Sequence, residues 1–236
     1  MNDNHTKIAH NLRLVRERIA RAAEQAGRSP RDITLVAVTK YVGADEALAL
    51  AALGCLDLGE SRPQELWHKA DDQRLAPVHW HLIGHLQRNK VARTVPLVKM
   101  IHSIDSERLL AAVDEAAALR SEPVRALLEI NTSGETAKHG LTADAARQLV
   151  DVLSKYPNVI VQGLMTMAPL EGGVAAAAKS FAALRDLRDQ LARSAPAGVH
   201  LTELSMGMTS DFEVAIQEGA TIVRIGTALW EGVKTE

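Results

Sequence analysis

The sequence predicts a single (β/α)8 barrel of the TIM type with one extra helix at its N-terminus. Short apolar runs alternate with helical segments along the chain, as in parallel β-α-β units. The runs are rich in Val, Ile and Leu, which is typical of strands buried on both faces. The chain has 236 residues, close to the roughly 250 of such a barrel. We therefore expect one domain over residues 1–236.

The first element is predicted to be a helix at residues 8–26. Apolar residues recur there at three- and four-residue steps, and Gly27 followed by Pro30 ends the pattern. Residues 1–6 are polar, lack the apolar core of a signal peptide, and are expected to form a flexible tail. The run at residues 33–38 is short and β-branched, which indicates the first strand.

The remaining elements follow the same alternation. Strands are predicted at residues 55–59, 78–83, 100–104, 126–130, 159–165, 200–204 and 222–225. Helices are predicted at residues 44–53, 62–72, 87–94, 107–119, 142–155, 175–193 and 211–218. An open doubly wound sheet is the alternative, but its Gly-rich nucleotide loop is missing after the first strand, where Lys40-Tyr41-Val42-Gly43 stands.

Composition excludes several classes of function. Lys and Arg total 27 against 29 for Asp and Glu, so no net field favours nucleic acid or a membrane surface. No stretch approaches the roughly 20 apolar residues of a membrane span, and a cytoplasmic protein is expected. The single cysteine, Cys55, excludes an intramolecular disulfide and lies in an apolar run without a basic neighbour. We predict that it is a buried structural thiol.

Lys40 is the most informative residue at a strand exit, where barrel chemistry is located. One interpretation is a surface lysine whose stem packs along apolar groups. The other is an amine that forms an imine with an aldehyde. The spacing alone leaves both open.

The exits of the last two strands favour a phosphate site. Ser205-Met206-Gly207 and Ile225-Gly226-Thr227 each combine a hydroxyl with a glycine whose N–H can be approached closely. Barrels often bind phosphate after strands seven and eight, beside a helix N-terminus. Thr209-Ser210-Asp211 is predicted to begin and cap such a helix. Small residues are also common in turns, but together with Lys40 they favour a phosphate-bearing aldehyde.

Arg224 interrupts an otherwise apolar strand. A buried unpaired charge costs several kcal/mol, so Arg224 either pairs with an acid inside the barrel or faces a ligand. If that ligand is pyridoxal 5′-phosphate, an arginine beside the pyridine nitrogen keeps the nitrogen unprotonated. The ring is then a weaker electron sink.

The histidines raise the question of a metal. His79 and His81 share one strand face, and His85 follows four residues later, which is a possible zinc pair. His102 and Asp105 could complete such a site. We predict no metal site.

The segments at the strand exits closely resemble the YggS/PROSC family of pyridoxal phosphate homeostasis proteins. The similarity covers the chain from Ile33 to Gly232. The matching segments read Ala37-Val38-Thr39-Lys40, Leu58-Gly59-Glu60, His79-Trp80-His81-Leu82-Ile83-Gly84-His85-Leu86-Gln87-Arg88-Asn89-Lys90, Gly163-Leu164-Met165-Thr166-Met167, Leu204-Ser205-Met206-Gly207-Met208 and Val223-Arg224-Ile225-Gly226-Thr227.

This resemblance implies a barrel like the N-terminal domain of alanine racemase, with pyridoxal phosphate held as a Schiff base on Lys40. It implies that Ser205, Gly226 and Thr227 contact the phosphate and that Arg224 faces the ring nitrogen. The expected cofactor-binding residues also include Met206, Gly207 and Ile225. The family usually has Asn where this chain has Ser61, and serine has a shorter reach and a single hydroxyl for any contact with the cofactor from that loop.

The implied function is to bind and hand on pyridoxal phosphate, maintaining vitamin B6 and amino-acid balance, with apo forms of dependent enzymes as recipients and no established turnover. An amino-acid racemase is the alternative. Racemisation needs a second base opposite the lysine, and the only tyrosines are Tyr41 and Tyr156. We therefore expect a binding protein and no catalytic residues.

Overall fold

The computed structural model shows a closed barrel of eight parallel strands in sequence order, which confirms the predicted fold class. It describes residues 3–132, 139–169 and 171–234. The strands are β1 (Thr34–Val38), β2 (Asp57–Glu60), β3 (His79–Leu82), β4 (Val98–Ile104), β5 (Val124–Glu129), β6 (Val159–Met165), β7 (Glu203–Ser205) and β8 (Ile222–Ile225).

Eight α-helices lie among the described residues. They are α1 (Asp3–Gln25), α2 (Ala44–Ala52), α3 (Pro63–Ala70), α4 (Val91–Thr94), α5 (Glu107–Ala117), α6 (Ala143–Asp151), α7 (Gly173–Ser194) and α8 (Phe212–Gln217). In this part of the chain, no helix is both long enough and apolar enough to cross a membrane.

In β1, β4, β5, β6 and β8, neighbouring residues belong to two different apolar clusters. The larger cluster packs between the strands and the helices. The smaller one lies on the opposite strand face, inside the barrel, and consists of Val36, Met100, Leu127, Met165 and Ile222. The predicted buried thiol is confirmed, because Cys55 belongs to the larger cluster and burial raises the pKa of its thiol to about 11.

The first helix extends further towards the N-terminus than predicted. It begins at Asp3, so residues 3–6 are helical and the expectation of a flexible tail is wrong for them. Lys7 pairs with Asp3 at 2.5 Å, and the Asn4 side-chain amide donates to the Lys234 carbonyl at 2.8 Å. The second contact joins residues 230 positions apart, which a local sequence pattern does not reveal.

The helix predicted at residues 87–94 is replaced by shorter turns. Only α4 is α-helical there, with 3-10 turns at Arg88–Lys90 and Val95–Leu97 on either side. Pro96 has no N–H to donate and prevents the helix from continuing.

A buried ion pair joins β2 to α3. The Lys69 ammonium donates to the Glu60 carboxylate at 2.5 Å and to the Thr39 carbonyl at 2.7 Å. The Thr39 hydroxyl donates to the same Glu60 oxygen at 2.6 Å. Glu60 and Lys69 are 0% and 4% exposed, so this pair fixes Thr39, the residue before Lys40, from the helix side of the sheet.

Replacing Lys69 with Met should destabilise the protein by about 3–5 kcal/mol, because the Glu60 carboxylate would stay buried without its cation. Urea unfolding measures this free energy. The matched control is Lys7→Met, which removes an exposed pair and should cost at most about 1 kcal/mol. Equal losses in the two variants would contradict the stabilising role of the buried pair.

Candidate cofactor-binding site

Pairing between the first and last strands assembles the site. β1 and β8 pair in register from Thr34↔Ile222 to Ala37↔Ile225. The exits of the two strands are therefore adjacent, so Lys40 after β1 lies near Gly226 and Thr227 after β8. The Trp230 indole N–H donates to the Val38 carbonyl at 2.8 Å and ties the segment after β8 to the end of β1.

Lys40 is exposed at this mouth of the barrel. Its ammonium nitrogen lies 4.8 Å from the centroid of the Tyr41 ring, a cation–π contact with a ring that is 73% exposed. The amine is thus accessible to a ligand that enters from solvent.

The loop after β7 approaches α8 so closely that position 207 requires glycine. Gly207 has φ +92°, and a Cβ there would lie 2.6 Å from the Ala215 Cβ and 2.9 Å from the Phe212 Cα. This contact places Thr209 beside the loop after β8, where its hydroxyl accepts a hydrogen bond from the Ala228 N–H at 3.4 Å. Thr209 and Thr227 line one groove together with Tyr41.

Thr209 was not among the predicted ligand contacts, because its sequence position resembles a helix cap. That capping prediction is wrong. Asp211 occupies the N-cap position of α8, but its side chain makes no capping hydrogen bond, and its carboxylate accepts from the Met208 N–H at 2.6 Å instead. The N–H groups of Asp211 and Phe212 both donate to the Met208 carbonyl, so the start of this six-residue helix does not present them to an anion.

Three other predicted residues are buried. Met206 and Ile225 belong to the cluster that faces the helices, so their side chains do not line the mouth. Ser205 faces the barrel interior, where its hydroxyl bonds to Arg224 at 2.5 Å and to His102 at 2.8 Å. This hydroxyl is therefore placed to orient Arg224, and not at the rim beside Gly226 and Thr227.

Arg224 is a buried cation inside the barrel. It donates to the Ser205 hydroxyl through Nη1 and to the Thr166 carbonyl through Nη2 at 2.9 Å, while Nε donates to no group of the described residues. Burial lowers its pKa to about 10, against the opposing charges of Glu129 and Asp211. The guanidinium is thus protonated at neutral pH. It forms no direct ion pair within the described ranges.

The histidines do not assemble as the possible zinc pair. His81 is buried in the barrel and bonds to His102 at 2.9 Å and to Asp57 at 3.0 Å. His85 is exposed and contacts Asp105 at 3.3 Å, and its ring stacks on His139 with centroids 4.6 Å apart. The ligand atoms of His85, Asp105 and His139 lie within 4.8 Å of one another, a spacing that could hold a metal ion.

Ser61 follows β2, which pairs with β1 on the side opposite β8. It lines a polar groove with His85, Gln87 and Lys90. The loop after β3 packs tightly against the Ser61 backbone. A Cβ on Gly84 would lie 2.3 Å from the Ser61 carbonyl oxygen, so this contact requires glycine.

Residues 4–233 match the family described as the N-terminal domain of alanine racemase. The pyridoxal phosphate homeostasis protein of Aquifex aeolicus is 39% identical over 219 residues, which cover 93% of this chain and 95% of that protein. The protein of the same name from Pseudomonas aeruginosa is 36% identical, with 94% of each chain covered.

Solved structures agree with this match. PipY of Synechococcus elongatus with PLP bound has a TM-score of 0.83 and 34% identity, covering 94% of this chain and 99% of that one. An unknown protein from Bifidobacterium adolescentis has a TM-score of 0.90 and 36% identity, covering 97% of this chain and 96% of that one. An alanine racemase from Clostridium difficile shares the fold with a TM-score of 0.73 at 17% identity, over 97% of this chain and 56% of that enzyme.

The buried histidines predict that stability falls with acidification. Burial lowers the pKa of His81 and, more strongly, that of His102, so the unfolded chain binds protons first. The two neutral rings make their full contribution to the free energy of unfolding above the unfolded-state pKa of about 6.5. As pH falls below that value, this free energy decreases by about 1.4 kcal/mol per pH unit for each proton that only the unfolded chain binds.

The free energy of unfolding in urea should therefore drop from pH 7.5 to pH 5.5, and in His102→Gln this drop should be smaller by about 1 kcal/mol. The exposed His200 provides the control, because His200→Gln should keep the wild-type drop. A His102→Gln variant with an unchanged pH dependence would show that the buried imidazole does not resist protonation.

Proposed function

Because this chain belongs to the family of pyridoxal phosphate homeostasis proteins, we propose that it binds pyridoxal 5′-phosphate through an imine to Lys40. The observation that carries the proposal is the β1–β8 pairing, which brings an exposed amine, a glycine-containing loop and a buried guanidinium to one end of the barrel. An aldehyde, a phosphate and a pyridine ring match these three features.

The phosphate fits the loops after β7 and β8. Gly207 and Gly226 bring backbone without side chains to the rim, and Thr209 and Thr227 add hydroxyl groups on one groove. Met206 and Ile225 act through the backbone, since their buried side chains anchor the strands that carry the two glycines. Ser205 supports the cofactor through Arg224.

The ring fits beside Arg224. Its Nε–H is left without a partner in the described parts of the chain, so it can donate to a pyridine nitrogen. Bound pyridoxal phosphate serves as an electron sink in amino-acid chemistry, and a guanidinium donor at the ring nitrogen weakens that capacity. This arrangement favours holding the cofactor over promoting reactions on it.

We therefore infer a carrier that hands pyridoxal phosphate to apo-enzymes and so maintains cofactor and amino-acid balance. The tyrosines support this over a racemase. Tyr156 lies in the connection that leads into the start of β6, at the opposite end from the strand exits, and its hydroxyl donates to Glu107 at 2.8 Å. Tyr41 adjoins Lys40 in the chain, and its ring makes a cation–π contact with the Lys40 ammonium, so it is not placed opposite the lysine as a second base would be.

The decisive variant is Lys40→Ala. Wild-type protein incubated with pyridoxal phosphate should develop a visible imine band, and borohydride should fix the cofactor on the peptide that contains Lys40. Lys40→Ala should lose both the band and the label, whereas Lys155→Ala, which removes another exposed lysine, should retain them. A band and label that persist in Lys40→Ala would refute the proposed attachment.

The carrier function predicts transfer without turnover. Loaded protein should activate an apo-enzyme that depends on pyridoxal phosphate, and Lys40→Ala incubated in the same way should not. L-Alanine incubated with the loaded wild-type protein should keep its chirality. Loss of chirality that depends on Lys40 would instead establish the racemase alternative.

A further inference from the structure

We propose that Asp57, His81, His102 and Ser205 form a hydrogen-bonded relay through the barrel that positions the Arg224 guanidinium. These are positioning residues, because they act on a ligand only through Arg224. The proposal that they thereby tune the cofactor ring rests on the proposed function, whereas the relay itself does not.

The relay connects five strands. Asp57 of β2 accepts from His81 of β3 at 3.0 Å, and His81 Nδ1 lies 2.9 Å from His102 Nε2 on β4. His102 Nδ1 then lies 2.8 Å from the hydroxyl of Ser205 on β7, which accepts from Arg224 of β8 at 2.5 Å. The contact between His102 and Ser205 thus joins two strands that do not pair with each other.

Four of the five relay residues are enclosed by the barrel, whereas the Asp57 side chain at the far end is 24% exposed. His81, His102, Ser205 and Arg224 are each at most 3% exposed. Their inward-facing neighbours form the small apolar cluster that contains Met100 and Met165. Buried polar groups cost free energy unless all of them are paired. A connected polar chain within an apolar interior therefore indicates a requirement beyond filling space.

The Asp57 carboxylate at one end, together with neutral buried rings, sets the direction of every hydrogen bond. Arg224 can only donate, so the Ser205 hydroxyl accepts from it, and a neutral His102 leaves its Nδ1 as an acceptor for the Ser205 proton. His102 then carries its proton on Nε2 and donates to His81 Nδ1. His81 in turn carries its proton on Nε2 and donates to the Asp57 carboxylate, which can only accept.

This assignment leaves both imidazoles neutral, each as the Nε2–H tautomer. Burial lowers the pKa of both rings, which agrees with it. Burial also raises the pKa of Asp57, but hydrogen bonds from His81 and Lys99 outweigh that effect and hold the pKa below its ordinary value. The carboxylate is therefore ionised at the far end of the relay.

The relay also accounts for all four ring nitrogens. Each nitrogen of His81 and His102 already has a hydrogen-bond partner, so neither ring is available as a metal ligand without breaking the relay. The Ser205 hydroxyl accepts a hydrogen bond from Nη1 of Arg224, and the Thr166 carbonyl accepts one from Nη2. The orientation of the remaining Nε–H is then determined.

The tautomers can be tested in ligand-free protein. Long-range 1H–15N correlation spectra of histidine-labelled protein should show His81 and His102 as neutral Nε2–H tautomers at pH 7, with His81→Gln and His102→Gln assigning the signals. Either ring found as an imidazolium or as the Nδ1–H tautomer would overturn the relay, whatever the protein binds.

The effect on the cofactor needs loaded protein. His102→Leu and Ser205→Ala should each weaken pyridoxal phosphate binding about tenfold, the size of one hydrogen bond to a charged group. Both should also shift the midpoint of the pH titration of the imine band. His102→Gln keeps one acceptor and one donor and should stay within about twofold of wild type, as should the exposed control His200→Leu.

The outcomes separate the two hypotheses. Wild-type protein without an imine band would refute the proposed function. The relay would then be tested by the histidine tautomers in ligand-free protein alone. A different outcome would refute the positioning role. In it, wild type shows the imine band, and Ser205→Ala and His102→Leu have the same cofactor affinity and the same titration midpoint as wild type. If His102→Leu fails to fold, Ser205→Ala against His102→Gln decides the matter, because Ser205→Ala removes only a hydroxyl.

Discussion

Closure of the barrel by the pairing of β1 with β8 is the constraint on which the candidate site depends. The four register pairs between these strands join residues nearly 190 positions apart and set the exit of Lys40 beside that of Gly226. Everything placed at the mouth follows from this, including the bond from Trp230 to the end of β1. An open sheet would leave the amine and the glycine loop at opposite edges.

A closed barrel also determines how charges can be accommodated. Its interior excludes bulk water, so a cation such as Arg224 must be held by protein groups. The protein does this with the Ser205 hydroxyl and the Thr166 carbonyl, and the charges of Glu129 and Asp211 oppose that of the guanidinium. The remaining Nε–H of Arg224 is the group proposed to donate to the pyridine nitrogen of the cofactor.

The helix side of the sheet supports the same site by a different interaction. The buried pair of Glu60 with Lys69 holds the backbone of Thr39, and Lys40 follows directly. Glu60 had the appearance of a strand-exit residue in the sequence, yet it faces the helix layer. The alternation of strand residues places Gly59 towards the interior and Glu60 away from it, so a polar residue at an exit is not necessarily at the mouth.

The sequence by itself determined the barrel, its strand order, Lys40 at the first exit and the glycine loops at the last two, because these depend on local periodicity and on short motifs. Only the tertiary structure decided what each polar side chain contacts. The Ser205 hydroxyl is hydrogen-bonded to Arg224 inside the barrel, and the Thr209 hydroxyl is hydrogen-bonded to the loop after β8. His81 is hydrogen-bonded to His102, not to His85. Each of these contacts joins different strands or loops, and its partner is fixed by strand register and barrel closure, which no local pattern encodes.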